Sequence, residues 1–363
     1  MTNFKTSDFD YYLPQELIAQ TPSDKRDCSK LMVLHRDLKK IEHKLFKDII
    51  DYLNPGDLLV LNDTKVMPAN IVGKKADGSA RIEVLLVKRW EGRGAGIGLG
   101  EGFEQWICLV KPGKRVKAQS YIIFSDYLKG KVLEKMESGE QVIEFEGDLK
   151  RFLREKGELP LPPYIMSNVQ CPISNECRIL KSELGKRYQT IYAAKEGASA
   201  APTAGLHFTP ELLEEIKAKG VSITKITLHT GLGTFKPVYA EYIKDHKMFD
   251  EEFEVSVETL SAIKKAKRVI AVGTTSVRTL ETLAMRNLLD SAENVAGSTD
   301  IFIYPGFKFK VIDAMITNFH IPQSTLLMLV SAFAGKDFIF EAYKKAIDEK
   351  YRFFSFGDAM LIV

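Results

Sequence analysis

The hydrophobic period of this chain changes near Met67 and changes back after Gly147. Before the first change, the residues predict a helix over Pro14–Gln20, a strand over Lys30–His35 and a helix over Leu45–Leu53. An Asn54-Pro55-Gly56 turn and the apolar strand Leu58–Leu61 follow. Between the changes, Arg81–Trp90, Glu104–Lys111, Tyr121–Phe124, Gly130–Lys135 and Gln141–Phe145 are short alternating stretches split by glycine-rich turns. That spacing predicts a small antiparallel barrel. After Leu149 helical periods return and alternate with apolar stretches at Val269–Val272, Asp300–Tyr304 and Val311–Ile316. The expected class is α/β: a barrel-like large α/β domain from residues 1–64 and 149–363, with a small antiparallel β-barrel domain, residues 65–148, inserted into it.

With 363 residues and 45% hydrophobic content, the chain can bury more than one core. The N-terminal stretch MTNFKTSDFDYYLPQELIAQ lacks the apolar run of a signal peptide, and Leu326–Ala334 is too short to span a bilayer, so a cytoplasmic protein without membrane association is expected. Cys28, Cys108, Cys171 and Cys177 form no Cys-x-x-Cys pair; reduced thiols and no metal site are expected. A net charge of +3, from 51 Lys and Arg against 48 Asp and Glu, excludes bulk attraction to nucleic acid and leaves only local basic patches. The glycine run at 92–100 fits no Gly-x-Gly-x-x-Gly register and is read as a flexible hairpin loop.

Polar residues gather in loops that follow apolar strands. Pro202-Thr203-Ala204-Gly205-Leu206-His207 leads into Thr209-Pro210-Glu211, a capped helix start, which places a neutral His207 near a helix N-terminus. Thr227-Leu228-His229-Thr230-Gly231-Leu232-Gly233-Thr234 leaves a strand rich in β-branched residues, and His246 and Glu251 bracket the turn after it. Gly273-Thr274-Thr275-Ser276-Val277-Arg278 begins another helix with three consecutive hydroxyls, more than a cap requires. Thr317-Asn318-Phe319-His320 and Asn62-Asp63-Thr64 repeat the arrangement. Capping and core packing explain each segment alone; loops after several strands converging on one end of a sheet explain them together as a site.

These blocks resemble the S-adenosylmethionine:tRNA ribosyltransferase-isomerases of queuosine biosynthesis. FDYYLPQELIAQTP, LLVLNDTKVMPA, LPLPPYI, RYQTIYA, AAPTAGLHFT, ITLHTGLGTFKPV, VIAVGTTSVRTLE, ITNFHIPQSTLLMLVSAFAG and YRFFSFGDAMLI carry the resemblance nearly end to end. The family often has His where this chain has Phe249.

The resemblance implies transfer of the ribosyl part of S-adenosylmethionine to 7-aminomethyl-7-deazaguanine at the wobble position of tRNAs with a GUN anticodon. Isomerisation gives epoxyqueuosine, with adenine and methionine released. S-adenosylmethionine is then a consumed co-substrate, no cofactor is needed, and a monomer is expected. In that light His207 or His229 is the general base or acid, with Thr203 orienting the ribose. Thr274, Thr275, Ser276 and Arg278 are assigned to the methionine carboxylate. Asn62, Asp63, Thr64, Arg187, Tyr188, Gly205, Gly231, Gly233, Thr234, His246, Glu251, Asn318 and His320 complete the expected substrate contacts. Two other classes remain open here: a non-catalytic RNA-binding protein, and a barrel enzyme acting on a phosphorylated metabolite.

Overall fold

The computed structural model describes residues 3–78, 80–90, 102–136, 139–162, 164–165, 183–231 and 238–363. The chain divides into a larger unit, residues 1–65 and 162–363, and a smaller one, residues 66–161.

The larger unit begins with the hairpin β1 (Lys30–His35) and β2 (Lys40–Leu45), followed by β3 (Asp57–Asn62) and the short β4 (Thr64–Val66). The two early helices expected from the sequence are tighter 3₁₀ turns, Gln15–Leu17 and Phe46–Tyr52. In β3 every residue is buried, and its side chains alternate between two cores. Leu58 and Val60 face one, Leu59 and Leu61 the other. A strand apolar on both faces belongs inside a sheet covered on both sides, where each fully buried leucine contributes roughly 1.5–3 kcal/mol.

The smaller unit is a closed antiparallel barrel of β5 (Asn70–Lys75), β6 (Arg81–Arg89), β7 (Phe103–Lys111), β8 (Tyr121–Ser125), β9 (Leu128–Lys135) and β10 (Gln141–Gly147). Along β6, Ile82, Val84 and Leu86 are buried while their neighbours are not, the two-residue period that points alternate side chains inward. The sequence reading missed β5: its NIVGKK stretch is short and interrupted by Gly73, whose missing side chain lets β5 approach Ile122 and Phe124 of β8. The expected boundary at 148/149 also moves. Helix α1 (Leu149–Lys156), capped by Asp148, buries Leu149, Phe152 and Leu153 in the barrel core and so belongs to this unit. The glycine run at 92–100 lies outside the described residues.

The larger unit resumes with β11 (Lys195–Ala198), α2 (Pro210–Ala218), β12 (Ser222–Leu228), β13 (Glu251–Val255), α3 (Val257–Lys265), β14 (Arg268–Val272), α4 (Thr274–Met285) and β15 (Val295–Thr299). Then come β16 (Ala314–Asn318), α5 (Thr325–Ala334), α6 (Lys336–Asp348) and β17 (Ala359–Ile362). Its nine-stranded sheet has the order β15-β13-β12-β3-β14-β16-β17-β1-β2. Within it β12, β3, β14 and β16 are mutually parallel neighbours, so all four end on the same edge. β17 lies between β16, antiparallel to it, and β1, parallel to it. The expected strand at Val311 starts instead at Ala314, because the N–H groups of Lys310, Val311 and Ile312 are taken by the buried Glu281 carboxylate. Asp300–Tyr304 forms no strand. No helix among the described residues is long and apolar enough to cross a membrane.

Candidate active site

The ends of the four parallel strands hold the expected polar loops side by side. After β3, Asn62 joins three elements: its Oδ1 accepts from the backbone N–H groups of Leu228 and Thr64, and its Nδ2 donates to the Leu228 carbonyl and to Thr275 Oγ1. Asp63 Oδ1 accepts from Thr227 Oγ1 at 2.7 Å. These two residues therefore fasten β3 to β12 and α4 and are not part of the lining of the cavity beside them.

The cavity beside them, about 330 Å³, is within the range of small-molecule sites. Ala200–Ala204, Thr230, Gly273–Thr275, Thr317–Ile321 and Phe354–Ser355 form most of its wall, with Tyr164, Ser324 and Leu326. Of the residues expected from the sequence it gathers Thr203, Thr274, Thr275, Asn318 and His320. Reading by loops missed Thr230, Thr317, Tyr164 and Phe354. Thr230 follows His229 in the same polar loop and was findable; Phe354 lies among aromatic residues that read as core, and only the neighbouring Ser355 could have pointed to it.

One wall is the start of α4. Its N-cap is Gly273, at φ 83, and no side chain caps it, so backbone N–H groups and the positive end of the helix dipole face the space where a cap would sit. The hydroxyls divide: Ser276 Oγ turns back to the Val272 carbonyl, and only Thr274 and Thr275 reach the cavity. Thr230 adds a buried Oγ1 that has no partner among the described residues.

Arg278 does not face this cavity. It is buried in an ion pair with Glu251 on β13 and donates to the carbonyls of Ile301 and Thr299. Glu251 also accepts the N–H of Gly231 at 3.0 Å. The sequence assignment of Arg278 to a ligand carboxylate therefore gives way to a structural role, since its charge is already matched.

The histidines separate in the same way. His207 is buried and is not part of the cavity lining; its Nδ1 is 2.7 Å from Ser29 Oγ and its ring stacks on Phe46, centroids 4.9 Å apart. Burial, aided by the Arg352 charge and opposed by the nearby Asn318 side chain, holds its pKa down to about 3. The sequence reading attributed its neutrality to the helix dipole; burial is the larger cause. His320 is likewise held down to about 3 by burial, and its Nε2 is 2.9 Å from Thr317 Oγ1. His229 is only part-buried, its pKa lowered by burial, and its Nδ1 meets Thr64 Oγ1 at 2.8 Å.

The remaining expected residues are placed elsewhere. Gly205 sits under the Tyr192 hydroxyl, Tyr188 is fully buried, and Arg187 donates to the carbonyls of Ser23 and Asp24. His246 packs edge-on against Phe302. Gly233 and Thr234 lie outside the described residues. Among the described residues no cluster of His, Cys, Asp or Glu is placed to hold a metal ion.

Residues 6–362 match the family described as "Queuosine biosynthesis protein", and the chain belongs to that family. It is 50% identical to the S-adenosylmethionine:tRNA ribosyltransferase-isomerase of Thermotoga petrophila, over 99% of this chain and 100% of that one. To the protein of the same name from Halothermothrix orenii it is 53% identical, again over 99% and 100%. A crystal structure of S-adenosylmethionine tRNA ribosyltransferase from Thermotoga maritima is similar at a TM-score of 0.53 and 42% identity, covering 98% of this chain and 100% of that chain. The α/β architecture with an antiparallel barrel agrees with the expected class.

Proposed function

We propose that this chain is an S-adenosylmethionine:tRNA ribosyltransferase-isomerase and that the cavity at the ends of β3, β12, β14 and β16 is its S-adenosylmethionine site. The ribosyl moiety is transferred to 7-aminomethyl-7-deazaguanine at the wobble position of a GUN-anticodon tRNA and rearranged to epoxyqueuosine, with loss of adenine and methionine. S-adenosylmethionine serves as co-substrate and no cofactor takes part. The enzyme acts as a cytoplasmic monomer, where its tRNA substrate resides.

One observation supports this reading: the uncapped start of α4 and Thr230 Oγ1, which has no partner among the described residues, share a cavity with the small-residue turn Ala200–Ala204. Donors at a helix start suit the methionine carboxylate, and small residues let a ligand come close to the backbone. Thr203, in the same wall, orients the ribose. His229 is assigned to proton transfer: it keeps partial exposure, and Thr64 fixes its ring. His207, with a pKa held near 3, is a poor proton acceptor at neutral pH.

Incubation of the purified protein with S-adenosylmethionine, with and without tRNA carrying the aminomethyl base, tests the reading. Adenine release that requires the tRNA supports it, and release from neither mixture overturns it. Filling the cavity by Ala204→Trp should abolish turnover while leaving tRNA binding intact.

A further inference from the structure

Asn318 ends β16 with a side chain that is 2% exposed yet only half satisfied. Its Nδ2 donates to the Phe354 carbonyl at 3.0 Å, which fixes the carboxamide plane and turns Oδ1 away from Phe354. That Oδ1 meets no donor in hydrogen-bond geometry among the described residues, although the Asn318 side chain is close enough to the His207 ring to raise its pKa. Buried carbonyl oxygens nearly always find a donor, so an exception in a cavity wall marks a place where a ligand supplies one.

The residue that anchors the amide is itself held in an uncommon state. Phe354 has φ 73, a left-handed conformation costly for a bulky residue. Its N–H donates to the Phe319 carbonyl, and its ring packs against Tyr164 with centroids 4.4 Å apart. Both aromatic residues line the cavity. An oriented acceptor beside aromatic surface selects a flat ring that carries an N–H donor on its edge. Within S-adenosylmethionine only the adenine has that form. The ribose offers hydroxyls, the carboxylate repels an amide oxygen, and the α-ammonium gains little from an aromatic pair already packed on each other.

We propose that Asn318 Oδ1 accepts the 6-amino group of the adenine of S-adenosylmethionine, with the Phe354 carbonyl setting the carboxamide, so that Asn318 determines which base the donor carries. The inference rests on the cavity being the S-adenosylmethionine site.

Calorimetric titration of the wild type, Asn318→Leu and Asn318→Ala with S-adenosylmethionine and with its analogue bearing hydrogen in place of the 6-amino group tests it. The wild type should prefer the amino compound by about tenfold, the worth of one hydrogen bond in an otherwise matched site. Both variants should bind the two compounds within about twofold of each other. Equal binding of the two compounds by the wild type overturns the proposal even if neither variant folds. A preference that survives in the variants also overturns it, and would leave the α-ammonium or His207 Nε2 as the partner of Oδ1. Ala204→Trp separates the two levels: if it binds S-adenosylmethionine as tightly as the wild type, the cavity assignment itself fails. If it loses binding while the Asn318 variants keep the preference, only the role of Asn318 fails.

Discussion

Glu251 on β13 and Arg278 on α4 form an ion pair with side chains 5% and 6% exposed, fastening a helix that is buried almost throughout to the strand next to the edge strand β15. Breaking such a pair from one side leaves a charge buried without compensation, at a cost of about 3–5 kcal/mol. Arg278→Ala should therefore lower the urea midpoint sharply, and Arg278→Met with Glu251→Met should recover most of the loss. An Arg278→Ala protein of wild-type stability with a raised KM for S-adenosylmethionine would return Arg278 to the ligand.

His207 supplies a pH test with a defined sign. Its folded pKa of about 3 lies below the unfolded value of about 6.5. Between those values the unfolded chain binds a proton that the folded one excludes, so stability falls as pH drops through that window. The slope is about 1.4 kcal/mol per pH unit for this residue. Unfolding free energies at pH 6 and pH 4 should differ less in His207→Gln than in the wild type, by about 2.5 kcal/mol, which is that slope taken over the interval. Activity at neutral pH should show no limb that disappears with this substitution.

Gly205 is required by closeness rather than by backbone angle. A methyl group there would overlap the Tyr192 hydroxyl, which is buried and has no hydrogen-bond partner among the described residues. Overpacking of this kind costs about 1–3 kcal/mol. Gly205→Ala should lower the melting temperature, and adding Tyr192→Phe should restore part of it. A second substitution without effect would locate the strain at Thr190, the other neighbour.

Thr230→Val should move stability and affinity in opposite directions. A buried hydroxyl with no partner among the described residues is a liability in the free protein, so its replacement by an isosteric methyl should hold or raise the melting temperature. The ligand loses one hydrogen bond, and KM for S-adenosylmethionine should rise about five- to tenfold. Unchanged KM would remove Thr230 from the site.

Local signals were the legible ones. Thr209 and Ser324 cap α2 and α5 as their positions imply, because a cap is decided within one turn of chain. The alternation of the barrel strands and the apolar run of β3 were equally plain. Arg278 was misread because its partner is 27 residues away on another element, and isolated sequence cannot show that a charge is already matched. The same limit applied to Ser276, whose hydroxyl returns to β14, and to His207, which looked poised in a loop but lies under a core phenylalanine. The loops to inspect were visible; which side chains faced inward depended on packing between elements far apart in sequence.

The position of β17 has a consequence for how the molecule is made. Because residues near 360 lie between β16 and β1, the hairpin of residues 30–45 has no place on the sheet until they arrive. A ribosome presents those segments in the opposite order, so the early hairpin emerges first and waits with an unpaired edge. Connections of that span slow folding and leave strand edges open meanwhile, and the wait is longest for the part of the sheet that is synthesised first.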